Sequence, residues 1–289
     1  MAVNREKLRI LVVGAHPADV FDQSGGTMLL HARDGDWVGC VVVTHGARVH
    51  DVVLSDEMFH AEKVPDAEEL ERIIVQRGDV RAAEVAKVCK ALGGAYLRFL
   101  GADDAVLLPV EKHIRELARI YREVRPNVLI THFPREDGGY GPHAATGEIA
   151  LRAAEFAGAV DPGDTNPPLR LAQIFYFGMG ACAVRQGVFG GDGGFTNNVF
   201  IDIGGVIEEK FKAVNQLESQ GYNGAYARKC MEYGDGSHGN AGGVSYAESF
   251  IMHASMTCSR LPVSDMNLQF TRESNMENLA RRSVMKGFQ

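Results

Sequence analysis

Apolar positions along this chain alternate between unbroken runs and helical spacing. Residues 8–15 (LRILVVGA), 37–44 (WVGCVVVT), 96–100 and 127–131 (NVLIT) are short runs, mostly rich in β-branched residues, of the kind found in strands covered on both faces. Between them the period lengthens. Residues 27–33, led by Ser24, Gly25 and Gly26, predict a short helix stopped by Asp34 and Gly35. Residues 66–92 carry Val80, Ala83, Val88 and Leu92 at helical intervals and end at Gly93-Gly94. In residues 111–124, Ile114, Leu117, Ala118, Tyr121 and Val124 recur three or four apart before Pro126 closes the helix. Strands alternating with helices in this way predict βαβ units with right-handed crossovers. The expected fold class is α/β: a Rossmann-like, doubly wound, mainly parallel sheet with helices on both faces and a C-terminal elaboration.

The second half is less regular. A helix over 143–157 leads through a Pro/Gly/Asp loop (161–168) to strand-like runs at 171–177 and 198–203, which a Gly-rich loop (187–194) separates. Helices are expected over 206–220, 225–233 and 245–256. We expect one domain over 1–289, with 1–160 the core and 161–289 added strands and helices. Residues 49–64 form an unusually long connection that suits a lid or an interface.

A formal net charge of -7 argues against nucleic acid or an anionic membrane as the partner and favours a small-molecule substrate. Cys40, Cys89, Cys182, Cys230 and Cys258 lack any C-x-x-C pair and read as core thiols in a reducing cytoplasm. The charged start of the chain is followed by only a short apolar run, so neither a signal peptide nor a membrane span is expected. Apolar C-terminal helices are compatible with a homo-oligomer.

Ligands of open α/β sheets collect beyond the carboxyl ends of the strands. Two segments sit there: Ala15-His16-Pro17-Ala18-Asp19 after the first strand, and Thr131-His132 through Gly141-Pro142-His143 after the fourth. An imidazole and a carboxylate three residues apart on a tight turn can share one divalent ion, and a third ligand from another strand end leaves a position open for water or substrate. A histidine after a strand is more often a hydrogen-bonded loop residue, so spacing alone leaves both readings open. Gly14, Gly25 and Gly26 match neither G-x-G-x-x-G nor a P-loop.

Taken together, Ala-His-Pro-x-Asp followed by Ser-Gly-Gly-Thr (15–27), Arg81-Ala-Ala-Glu84, His143-Ala-Ala-Thr146 and Tyr246-Ala-Glu-Ser-Phe250 resemble the PIG-L/LmbE family of zinc-dependent deacetylases. The resemblance implies Zn2+, or another divalent ion, on His16, Asp19 and His143, with Arg81 orienting the substrate. Unaided, Arg81 also reads as a helix charge paired with Glu84. The family's His-Pro-Asp-Asp-Glu pattern is broken here. Ala18 replaces the carboxylate that takes the proton and Val20 replaces the Glu, while Tyr140 stands where many members have a polarising His.

A substitute base is sought among Asp22, His45, Asp51, His132, Glu136 and Asp137; His132, Asp137 and Tyr140 are the catalytic candidates carried forward. Arg48, His45 and His238 join Arg81 as substrate-binding candidates, His238 on a Gly-rich loop (234–243). Three functions are carried forward: amide or other carbon-nitrogen hydrolysis, first; hydration of an unsaturated dicarboxylate, as in the similar 4-oxalomesaconate hydratase branch, with Arg81, Arg48 and Arg135 holding carboxylates; and a silent metal-binding protein. His253 is expected to pack on an apolar helix face.

Overall fold

In the computed structural model, which describes residues 6–135, 141–178 and 196–287, a seven-stranded sheet runs in the order β3-β2-β1-β4-β5-β7-β6. Its strands are β1 (Arg9–Gly14), β2 (Trp37–Thr44), β3 (Tyr96–Ala102), β4 (Val128–Thr131), β5 (Gln173–Phe177), β6 (Val199–Asp202) and β7 (Ala247–Met252). The first five are parallel, whereas β7 pairs antiparallel with both β5 and β6. The mainly parallel α/β expectation holds.

The two-residue period of a strand divides the core. Ile10, Val12, Val38, Cys40 and Val42 face one layer, built from α1 (Asp19–Arg33), α3 (Ala67–Ala91) and α6 (Ile207–Val214). Leu11, Val13, Val41 and Val43 face the other, built from α4 (Glu111–Val124) and α5 (Pro142–Ala157). Residues 49–64 hold a helix, α2 (Val52–His60), whose first turn Asp51 caps by accepting from Leu54 N–H at 2.8 Å. Because β1 is flanked by β2 on one side and β4 on the other, the strand order reverses at the β1/β4 boundary. The crevice of a doubly wound sheet opens there.

Several elements differ from the sequence reading. Helix α1 starts at Asp19 and runs straight through Gly25 and Gly26, which a pattern-based reading treats as breakers. The glycines permit close approach: a Cβ on Gly26 would lie 2.7 Å from Ile203 Cγ2, and one on Gly25 3.0 Å from Leu92. Gly26→Ala is therefore expected to lower stability by about 1–3 kcal/mol through overpacking, read as a lower denaturant midpoint with an unchanged slope.

The expected helix at 245–256 is the strand β7. It lies between β5 and β6 with five of its six residues buried, so its pattern does not alternate, and Ala, Glu and Met bias a local reading towards helix. The helix expected at 206–220 ends at Val214, with a 3₁₀ turn following at Glu218–Gln220. The glycine-rich 234–243 is no loop: α7 (Gly224–Cys230) passes through a π-helical turn, Met231–Asp235, into α8 (Gly236–Gly242). His253 lies just beyond β7, exposed, with Nδ1 2.5 Å from the Tyr176 hydroxyl, rather than packed on a helix. Two short exposed helices, α9 (Asp265–Phe270) and α10 (Asn275–Arg282), end the described chain. The Gly-rich loop at 187–194 and Cys182 lie outside the described residues.

Candidate functional site

The turn after β1 is tight because Gly14 has no side chain: a Cβ there would meet Val20 Cγ2 at 2.6 Å. The Ala15 carbonyl accepts from both Thr44 N–H (2.9 Å) and Thr44 Oγ1 (2.8 Å), which pins the turn to β2. Asp19 opens α1, where a carboxylate suits the positive end of the helix, and its Oδ2 accepts from His16 N–H at 2.7 Å. His143 sits in the first turn of α5, behind an extended Gly141 and with Pro142 at the first helical position. Two chain segments, the turn from β1 into α1 and the start of α5, thus converge at the strand ends.

His16 Nδ1 and Asp19 Oδ2 are 3.2 Å apart, His143 Nε2 and Asp19 Oδ2 3.4 Å, and His143 Nε2 and His16 Nδ1 3.2 Å. Two nitrogens and a carboxylate oxygen aimed at one another form a face of the donor set that a tetrahedral zinc requires. With bonds of about 2.0–2.1 Å, donors around such an ion stand about 3.3 Å apart. The residues fit the ion. Burial works against the Asp19 carboxylate, but His132, His143 and His16 around it hold its pKa well below the usual range.

His132 stacks on His143 with ring centroids 4.4 Å apart, and its Nε2 accepts from Ala15 N–H at 3.0 Å. Burial pushes its pKa down to about 4 although Asp19 opposes this, so near neutrality it is an uncharged prop with Nε2 engaged. His50, which the sequence reading passed over, lies with its ring centroid 3.8 Å from that of His16. Its Nδ1 faces Asp104 Oδ2 at 3.6 Å. Asp104 also accepts from Arg48 N–H (3.1 Å) and Val49 N–H (2.8 Å); burial opposes its charge, but His50 and these donors hold its pKa far below normal.

The other candidates disperse. Arg81 is wholly buried, and it donates to Asp51 Oδ2 (3.3 Å), to the Ser219 carbonyl (3.2 Å) and to the carbonyl of His50. It packs against Gly46, whose positive φ of 69° and lack of a side chain make room for it and for Pro17. Glu84 turns instead to Ser219. Asp51, occupied by capping α2 and by Arg77 and Arg81, is not free to move a proton. Arg48 is exposed and paired with Asp103. His45 accepts from Ala47 N–H at 3.0 Å, lies 3.3 Å from Asp104 Oδ1, and lines a different cleft with Glu71 and Asp79. His238 lies on α8, at a cavity it shares with Asp22. Glu136, Asp137 and Tyr140 fall outside the described residues.

A profile of the PIG-L family, described as GlcNAc-PI de-N-acetylase, matches residues 11–154, the stretch that contains every residue of the three-donor face. The chain belongs to the PIG-L/LmbE superfamily. Among curated PIG-L relatives, the 1D-myo-inositol 2-acetamido-2-deoxy-alpha-D-glucopyranoside deacetylase of Streptomyces scabiei is 32% identical over 191 residues, covering 58% of this chain. The chain spans only 55% of that relative's length. Among solved structures, the fold is shared with N,N'-diacetylchitobiose deacetylase from Pyrococcus horikoshii (TM-score 0.66, 19% identity, covering 86% of this chain and 84% of that one). It is shared equally with the 4-carboxy-2-hydroxymuconate hydratase GalB from Pseudomonas putida KT2440 (TM-score 0.68, 20% identity, covering 88% and 100%).

Proposed function

We propose that this chain is a metal-dependent hydrolase that removes an acyl group from the amide nitrogen of a small polar molecule, with zinc held by His16, Asp19 and His143. The observation that carries the proposal is the three-donor face, with edges of 3.2–3.4 Å, inside the stretch that matches a de-N-acetylase family. A divalent ion bound there supplies Lewis acidity, polarising a carbonyl and drawing the pKa of a coordinated water towards about 7. The unpaired thiols Cys40 and Cys89 fit a reducing cytoplasm, and no described helix is long and apolar enough to cross a membrane. We also read 1–289 as one domain.

Ala18 is buried and cannot take a proton. In its place stands His50. Asp104 faces Nδ1, which leaves Nε2 to accept a proton from the attacking water and return it to the departing amine, while the imidazole remains against His16. Arg81 binds the His50 carbonyl and so holds this loop in position. His50→Gln is expected to lower kcat roughly 100-fold while metal content and KM change little. Equal kcat in the variant would remove His50 from the mechanism.

Hydration of a dicarboxylate requires cations free to bind it. Of the three arginines named for holding a dicarboxylate, Arg48 is paired with Asp103 and Arg81 with Asp51. The reading is tested by incubating the zinc-supplied protein with a panel of N-acetyl amino sugars and N-acetyl amines and following amine release; no release from any of them, with full metal content, would reject it.

A further inference from the structure

Beside the three-donor face lies a cavity of about 280 Å3, lined by Asp22, Asp235, His238, Glu248 and Ser249 among others. It adjoins the proposed metal centre: Asp22 is one helical turn beyond Asp19, and Gly178 on its wall follows Phe177, whose ring packs edge-on against His132 at 4.9 Å. Three carboxylates meet there. The cation beneath them is Lys210, wholly buried, whose Nζ is 2.8 Å from Asp235 Oδ2, 2.8 Å from Glu248 Oε1 and 2.5 Å from the Asp22 carbonyl.

Lys210 has three donors, and all three are taken. Glu248 is also compensated by the N–H groups of Gly26 (2.8 Å) and Thr27 (2.7 Å). The Asp22 carboxylate receives none of those three donors: it feels Lys210 only through space and accepts a hydrogen bond from Tyr222. Independently, Ser249 Oγ lines the cavity from a residue only 2% exposed and has no hydrogen-bond partner among the described residues. A buried hydroxyl without a partner costs free energy that a polar guest would recover.

We propose that this cavity is a subsite for a primary ammonium group, so that the substrate is an N-acyl compound carrying a second, free amine. An ammonium brings one positive charge and three donors, and no acceptor. The Asp22 and Asp235 carboxyl groups and the Ser249 hydroxyl offer acceptors for all three, whereas a carboxylate guest would bring further negative charge to a site whose lysine is already taken. A shortage of positive charge also shows at Asp235: burial, reinforced by Glu248 and Asp22 and opposed by Lys210, pushes its pKa up to about 8. The substrate class rests on the hydrolase reading; the subsite itself does not.

The test uses the full chain supplied with zinc. Calorimetric titration with 1,4-diaminobutane and with butane-1,4-diol compares an ammonium with a hydroxyl on the same carbon chain. The diamine is expected to bind at least 10-fold more tightly, and Asp22→Asn, with its fold verified by circular dichroism, to remove that preference. Equal binding of diol and diamine overturns the subsite without the need for a variant. So does undiminished diamine binding by Asp22→Asn, the result expected of an amine that merely ligates the zinc. In parallel, kcat/KM for N-acetyl-1,4-diaminobutane is expected to exceed that for N-acetylbutylamine at least 10-fold. Equal cleavage of the two refutes the substrate class and leaves the hydrolase reading standing. Cleavage of neither, with the calorimetric preference intact, supports the ammonium subsite and counts against the hydrolase reading.

Discussion

Asp19→Ala is expected to abolish metal binding and to lower kcat/KM for any cleaved amide by roughly 10³-fold or more. Asp19 Oδ2 stands 3.2 Å from His16 Nδ1 and 3.4 Å from His143 Nε2, so one oxygen meets both of the other donors. It is also the only carboxylate in the three-donor face. Removing it leaves two neutral donors, and loss of the ion removes several kcal/mol of transition-state stabilisation, at about 1.4 kcal/mol per factor of ten.

Metal content by plasma mass spectrometry should fall from about one ion per wild-type chain to near zero. A ligand that binds only the folded state raises apparent stability, so a chelator should lower the wild-type Tm and leave that of Asp19→Ala unchanged. A variant that keeps a full complement of metal would show that the ligand set is wrong. Asp19→Asn is the companion: it can still accept from His16 N–H but has lost the charge, and it is expected to fold and bind metal weakly.

Lys210→Met is expected to be the most destabilising single change in the C-terminal half, costing about 3–5 kcal/mol, because it leaves Glu248 buried without its counter-ion and Asp235 without the donor to its carboxyl group. For a chain of this size that lowers Tm by roughly 10 °C. The lysine also engages the first turn of α1. The Asp22 carbonyl accepts from Lys210 Nζ, and the N–H four residues on, at Gly26, donates to Glu248. Its removal should therefore loosen the helix that carries Asp19, and weaker metal binding should accompany the fall in Tm.

A pH series separates the members of this cluster. With its pKa pushed up to about 8, Asp235 holds a proton more tightly in the folded chain than in the unfolded one. Such a group contributes stability that is complete below about pH 4 and is lost as pH rises through about 8. Wild-type Tm should thus decline between about pH 5 and 8, and Asp235→Asn, neutral throughout, should flatten that decline. An unaltered slope in the variant would show that Asp235 does not carry this proton.

The parallel core was legible because periodicity is a local property. Residues 8–15, 37–44 and 127–131 are apolar without a break since both faces of β1, β2 and β4 are covered, and the helix at 111–124 shows its buried stripe at intervals of three and four. That His16, Asp19 and His143 come together was legible because strand ends of open sheets converge on one crevice, and two of the three lie within four consecutive residues. Where local preference and tertiary environment disagree, the environment decided. Strand β7 carries helix-forming residues but is held by pairing to β5 and β6, and Gly25 and Gly26 sit inside α1 because Leu92 and Ile203 press on it.

The remaining chemistry is non-local. His50 and Asp104 are 54 positions apart in the sequence and meet only because the loops after β2 and β3 pack together beside the site. Lys210, Asp235 and Glu248 come from α6, the π-helical turn and β7, and converge on α1 across nearly the whole chain. No spacing rule links such residues. What joins them is the cost of burying charge, which a folded chain meets by bringing opposite charges together from wherever they lie.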